Sequence, residues 1–189
     1  YKACIKAGFK TTIISTKRKT LNYDFVIIPG VGAFKSGMNV LKENNYDEKI
    51  SHYLLKPNSF IYGICLGMQL LFEKSFEFGS TKGLGLIKGN IPELQKKNKK
   101  MKTNMGWCKT KFSQKSNKLD FQNFNNKHFY FVHSYYANPA NNKDILAKTF
   151  HGNFEFTSVV KKNNILGTQF HPEKSGNDGL LMIQNFLTL

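Results

Sequence analysis

A chain of 189 residues with 40% apolar and 21% charged side chains can bury one substantial core, and it holds no apolar run near the roughly 18 residues that would cross a bilayer. Its net charge of +16, from 28 Lys and Arg against 12 Asp and Glu, raises nucleic acid as a partner, but Arg18 is the sole arginine and the lysines are spread with abundant Asn, Ile and Phe. No nucleic-acid and no membrane role is therefore expected, and Cys4, Cys65 and Cys108, odd in number and irregular in spacing, exclude a disulfide framework and a zinc cluster.

In chain order, Tyr1 to Ala7 reads as a helix closed by Gly8, and Lys10 to Ser15 as a strand. Asp24 to Ile28 is a short apolar run suited to a strand covered on both faces, ended by the tight loop Pro29-Gly30-Val31-Gly32. Phe34 to Leu55 carries apolar residues at helical spacing, Ser59 to Tyr62 is the next buried strand, and Met68 to Lys74 has a helical pattern. The run Lys96-Lys97-Asn98-Lys99-Lys100 reads as a solvated loop. After about Phe78 the elements shorten, with Gly83 to Leu86, Gly106-Trp107 and Gly152-Asn153 as turn punctuation. Phe129 to Val132, Phe154 to Val160 and Ile165 to Phe170 are the clearest later strands, and Gly179 to Leu187 is a closing amphipathic helix. The alternation in the first half predicts βαβ units around a parallel sheet, and no linker divides the chain into two domains.

Two stretches carry chemistry. Gly63-Ile64-Cys65-Leu66-Gly67 follows a strand and precedes a helical pattern, the layout of a nucleophile elbow with cysteine in place of serine. A helix starting there aims its amide end at the sulfur, which favours thiolate. A buried apolar cysteine between two packing glycines fits the same five residues. In Gln169-Phe170-His171-Pro172-Glu173, residues two apart in an extended segment point the same way, so Glu173 can orient the His171 imidazole as it takes a thiol proton. Alone, His171 would read more readily as an exposed histidine in a turn, and the elbow shifts that balance.

Five motifs stand in order over nearly the whole chain: Pro29-Gly30-Val31-Gly32-Ala33-Phe34, Gly63 to Leu71, Met105-Gly106-Trp107, Tyr130-Phe131-Val132-His133-Ser134-Tyr135-Tyr136 and Gln169 to Ser175. Together they resemble the class I, triad-type glutamine amidotransferases, and within them the branch of glutaminase subunits of imidazole glycerol phosphate synthase. The resemblance implies an α/β, flavodoxin-like fold with a mixed, mostly parallel central sheet flanked by helices, in a single domain over 1–189. It implies a triad of Cys65, His171 and Glu173, an oxyanion hole from the amides near Val31 and at Leu66, and L-glutamine held by Gly30, Gly32, Gln69, Glu77, Ser134 and Tyr135. In His133 the backbone is expected to matter more than the ring. Trp107 and Lys174 would face a partner, a (β/α)8 barrel synthase that forms a heterodimer with the chain and receives ammonia. No cofactor and no metal are expected, and a cytoplasmic setting fits.

The match departs in two places. Relatives usually carry Pro-His before the Met-Gly-Trp element and Asn after it, where this chain has Thr103-Asn104 and Cys108, so the identity of the synthase is open. A paralogue that feeds a sugar-amidinating synthase, and a basic binding module without catalysis, remain as alternatives. Family members also begin with a strand before the helix in which this chain opens, so a fragment lacking that first strand is expected.

Overall fold

Apolar runs of strand length and helical spacing build two sheets with helices packed on them. The computed structural model describes residues 1–14, 21–94, 102–113 and 121–188. The first half of the chain gives helix α1 (Lys2–Lys6), strand β1 (Phe25–Ile28), helices α2 (Phe34–Glu43) and α3 (Tyr46–Tyr53), strand β2 (Phe60–Ile64) and the short helix α4 (Leu66–Leu70). Strands β3 (Phe72–Ser75), β4 (Thr81–Lys82), β5 (Ile87–Ile91), β6 (Asn104–Phe112), β7 (His128–His133), β8 (Asn138–Pro139), β9 (Ile145–His151), β10 (Phe154–Lys162) and β11 (Ile165–Thr168) follow, and helix α5 (Gly176–Leu187) closes the order.

Seven strands form the main sheet in the order β1-β2-β11-β10-β9-β6-β7, and β4-β3-β5-β8 form a smaller one. The main sheet is mixed, as expected, but parallel pairing is confined to β1–β2 and β2–β11, whereas β11–β10, β10–β9, β9–β6 and β6–β7 are antiparallel. A mostly parallel sheet is therefore a description of its first half only. Strands β9 and β10, and β10 and β11, are each joined by two residues, too few for the crossover that parallel pairing needs.

Side chains alternate across β2: Tyr62 and Ile64 enter a core shared with α1, α5 and the antiparallel strands, while Ile61 enters a second core with Phe34, Met38, Ile50 and Tyr53 of α2 and α3. The two cores hold the end of β2 between them, and that end carries Cys65.

Four local expectations change. Lys10 to Ile14 form no strand; Thr11 Oγ1 donates to the Phe9 carbonyl and Ile13 is exposed, and Ser15 lies outside the described residues. The helical stretch Phe34 to Leu55 is two helices, broken where Asn45 takes a left-handed φ of 55°. The helical pattern Met68 to Lys74 ends at Leu70, because Phe72 to Ser75 instead pair with β5. Gly106-Trp107 is interior to β6, where Gly106 at φ 128° re-aims the strand without ending it. The lysine-rich run at 96–100 lies outside the described residues. Among those described, no helix is long and apolar enough to cross a membrane.

Candidate active site

Strand β2 ends in a turn that only a tight fit can hold. Cys65 sits at φ 53° and ψ −110°, a conformation that L-residues rarely adopt, and its N–H donates to the Thr168 carbonyl at 2.7 Å, which pins the bend to the end of β11. Helix α4 starts at Leu66, so the amides of its first turn have no intrahelical acceptor. Gly67 lies against β1: a Cβ built there would stand 1.7 Å from the Ile28 carbonyl oxygen. Gly67→Ala must move backbone and is expected to cost about 3 kcal/mol or more, at the upper end of overpacking. Urea unfolding checks this, and wild-type stability in the variant would mean that the elbow has room to shift.

The second stretch hangs from β7. The His171 N–H donates to the Tyr130 carbonyl at 2.9 Å, and Ser175 Oγ accepts the Tyr130 N–H at 3.0 Å while donating to the His171 carbonyl at 2.6 Å. This clamp fixes the histidine backbone. The imidazole Nδ1–H donates to Glu173 Oε1 at 2.8 Å. The pair is reached by a 3-10 turn over Pro172–Lys174 and not by a continuous extended segment, so the expected contact forms by a different path.

His171 Nε2 is buried with no partner that meets hydrogen-bond geometry. Even so, the neighbouring Cys65 is the largest influence raising the His171 pKa to about 9, followed by the Glu173 carboxylate, while burial works against both. In Glu173 burial pushes the carboxyl up, but the His171 hydrogen bond and the charges of His171 and Lys174 bring it below its ordinary value. The arrangement is an imidazole held by a carboxylate through one nitrogen, with its other nitrogen unpartnered and the ring under the influence of Cys65.

The remaining predicted residues fall into three groups. In the first, Gly30 lies over the elbow, its Cα face so close to Leu66 that a Cβ would stand 2.9 Å from the leucine Cβ; Gly32 beside it has φ 95°, and the Val31 side chain between them is exposed. The loop is thus stacked on the nucleophile turn. In the second, buried Gln69 donates from Nε2 to the Tyr135 carbonyl and to Gln169 Oε1, both at 3.1 Å. Ser134 bonds through its side chain to Thr103 Oγ1 at 2.9 Å and through its carbonyl to the Leu94 N–H at 2.9 Å. Glu77 accepts the Phe34 N–H at the start of α2, so one carboxylate oxygen has a helix-capping role that sequence reasoning did not give it. In the third, Trp107, 55% exposed, packs edge-on to Tyr130 at 6.1 Å between ring centroids, and Lys174 Nζ lies 5.9 Å from the same ring. These two come together with the catalytic stretch.

Two further residues belong to the site. His133 is buried and neutral, burial first of all lowering its pKa to about 4. Its Nδ1–H donates to the Tyr135 carbonyl at 2.8 Å, which leaves Nε2 to accept from Asn104 Nδ2 at 3.0 Å, and Asn104 Oδ1 accepts from Cys108 Sγ at 3.5 Å. The ring therefore holds the Tyr135 backbone, a contact beyond the backbone part expected of His133. Asn104, one of the departures from the family pattern, supplies the donor that a neutral ring with this tautomer needs. Gln169, which sequence reasoning left inside a motif without a role, points Nε2 at Cys65 Sγ from 3.7 Å.

Known proteins resemble the chain in sequence and in fold. Residues 2–189 match the family model "Glutamine amidotransferase class-I". The chain is 44% identical to the imidazole glycerol phosphate synthase subunit HisH of Sulfurimonas denitrificans over 97% of its own length and 88% of the relative's. It is 41% identical to the subunit of that name from Caldanaerobacter subterraneus, over 98% and 89%. A solved structure described as a glutamine amidotransferase superposes with a TM-score of 0.71 over 97% of this chain and 90% of that one, at 14% identity, a likeness of fold.

Proposed function

Because the chain belongs to the class I glutamine amidotransferase family, we propose that its elbow, base and carboxylate form the glutaminase centre of an imidazole glycerol phosphate synthase, serving histidine biosynthesis in the cytoplasm. The observation that carries the reading is the base: His171 is oriented by Glu173 through Nδ1 at 2.8 Å and keeps Nε2 free beside Cys65.

In this reading Nε2 takes the Cys65 proton and the thiolate attacks the glutamine carboxamide carbon. The oxyanion forms against the Leu66 amide and the amide at Val31. His171 then returns its proton to the departing ammonia, leaving a γ-glutamyl thioester, and next activates water to release glutamate. The α-amino and α-carboxylate groups of glutamine fall to Gln69, Glu77, Gly30, Gly32 and the Ser134–Tyr135 backbone. Glu77 has one carboxylate oxygen left for this after capping α2.

Ammonia is useful only where an acceptor waits, and the two relatives are named as subunits of a synthase. The partner is assigned as a (β/α)8 barrel that docks on the face of Trp107, Tyr130 and Lys174 to make a heterodimer. Gly32 at φ 95° beside exposed Val31 gives the loop the backbone freedom to turn an amide toward substrate when the partner arrives.

Steady-state glutamine turnover with and without such a synthase and its acceptor ligand tests this. The chain alone is expected to be nearly idle, and the complex faster by a factor on the order of 100 or more, the size of one well-placed oxyanion donor. Full activity of the isolated chain would rule out the loop switch, and activation only by a sugar-amidinating synthase would move the enzyme to another pathway.

A further inference from the structure

We infer that Gln169 is a positioning residue for the nucleophile, donating a side-chain N–H to the Cys65 sulfur as the end of a buried amide chain that runs through Gln69 to the Tyr135 carbonyl. The inference rests on Cys65 being the nucleophile, as proposed above.

The backbone leaves Gln169 little choice of place. The carbonyl of Thr168 accepts the Cys65 N–H at 2.7 Å, and the next amide, that of Gln169, donates to the Ser158 carbonyl at 2.8 Å. The Gln169 side chain is fully buried beside the elbow. It stands two residues before His171, so both groups that address the sulfur come from one short segment.

The polarity of the chain follows from its far end. A carbonyl oxygen can only accept, so the Gln69 group that meets Tyr135 is its NH2, at 3.1 Å. The same nitrogen reaches Gln169 at 3.1 Å, which requires the Gln169 oxygen on that side and therefore its NH2 on the side of Cys65, 3.7 Å from Sγ. The sulfur, as a thiol, donates toward the Val132 carbonyl at 3.9 Å; as a thiolate it has no proton to give and accepts from Gln169. His171 must surrender its proton to the leaving ammonia. An amide does not ionise, and Gln169 keeps its N–H on the sulfur through the whole cycle.

A purely structural stitch between α4 and β11 would hold the fold without altering the sulfur, and reactivity separates the two. Cys65 alkylation by iodoacetamide, read as the mass of its peptide between pH 5 and 9, is compared in the wild type, Gln169→Met and Gln169→Glu. Methionine fills the space without an N–H, and the rate at pH 7 is expected to fall about tenfold, with the pH midpoint of labelling about one unit higher. Glutamate still accepts from Gln69. Protonated, it restores a donor to the sulfur; ionised, it opposes the thiolate, so its labelling profile gains an ionisation that the wild type lacks. In the complex with its synthase, Gln169→Met is expected to lower kcat with KM for glutamine unchanged within about twofold, as for an interaction made at the reacting centre.

Wild-type labelling in a folded Gln169→Met would overturn the inference. Should that variant fail to fold, a wild-type profile in Gln169→Glu would overturn it equally. If wild-type Cys65 labels no faster than buried Cys4 and Cys108, the nucleophile itself is misassigned; fast wild-type labelling that neither substitution changes removes only the role of Gln169.

Discussion

Cys65→Ala is expected to lose glutamine hydrolysis by a factor on the order of 10,000 or more while its melting temperature and its complex with the synthase stay near the wild type. In the proposed chemistry the thiol makes the bond to substrate, and neither Cys4 nor Cys108 lies in the elbow to replace it. The backbone strain at φ 53° is the same for alanine as for cysteine, and one buried sulfur is a small loss of packing. A second readout follows from the influence of Cys65 on its neighbour. With the thiol gone, the His171 pKa falls from about 9 toward its ordinary 6.5, since Cys65 is the largest of the influences that raise it. Ammonia release and an NMR titration of the imidazole measure the two effects. Undiminished turnover would remove Cys65 from the chemistry, and an unmoved titration would mean that the two side chains do not interact.

His171→Ala is expected to lose nearly as much, because a triad works as a unit and its members are not additive. Glu173→Gln loses less: the amide can still hold the ring, and Glu173 is partly open to solvent, which weakens its charge. The histidine also links the site to stability. Its folded pKa is raised, so the stabilisation it contributes is complete below about pH 6.5 and is lost as pH rises through about 9. Glu173 is depressed, so its share is present above about pH 4.5 and is lost as pH falls through its folded value. The stability gap between the wild type and His171→Ala, measured by urea unfolding, is therefore expected to be widest from about pH 4.5 to 6.5 and to narrow by pH 9.5. A gap that widens toward pH 9.5 would contradict the assigned coupling.

The bend at Cys65 and the contact of His171 with Glu173 were legible in the sequence because each is local. Gly63 to Gly67 encode a bend by themselves, and His171 lies two residues from its carboxylate. The amide and imidazole contacts that converge on the Tyr135 carbonyl were not legible, since Gln69, Gln169, His133 and Asn104 meet only after α4, β6, β7 and the end of β11 have come together. Phe72 to Lys74 misread as helix for a similar reason: Leu70-Leu71-Phe72 is a continuous apolar run that fits either period, and pairing with β5 decides it. The break at Asn45 had a signal in the consecutive asparagines Asn44 and Asn45, residues that tolerate the left-handed region. Gly106 was taken for a turn because glycine marks turns and bulges alike.

The parallel pairing of β2 with β11 places Tyr62 opposite Leu166 and Ile64 opposite Thr168, joining segments about a hundred residues apart in the chain. Such a contact closes a long loop before it returns any enthalpy, and chains ruled by distant pairings assemble slowly. Cys65 leaves one of these strands and His171 follows the other, so no partly assembled species without this pairing can hold base and nucleophile together. Regain of glutaminase activity after dilution from denaturant cannot run ahead of that zipper, whatever helix or hairpin signals recover first, and turnover becomes a clock for the most distant strand pairing among the described residues.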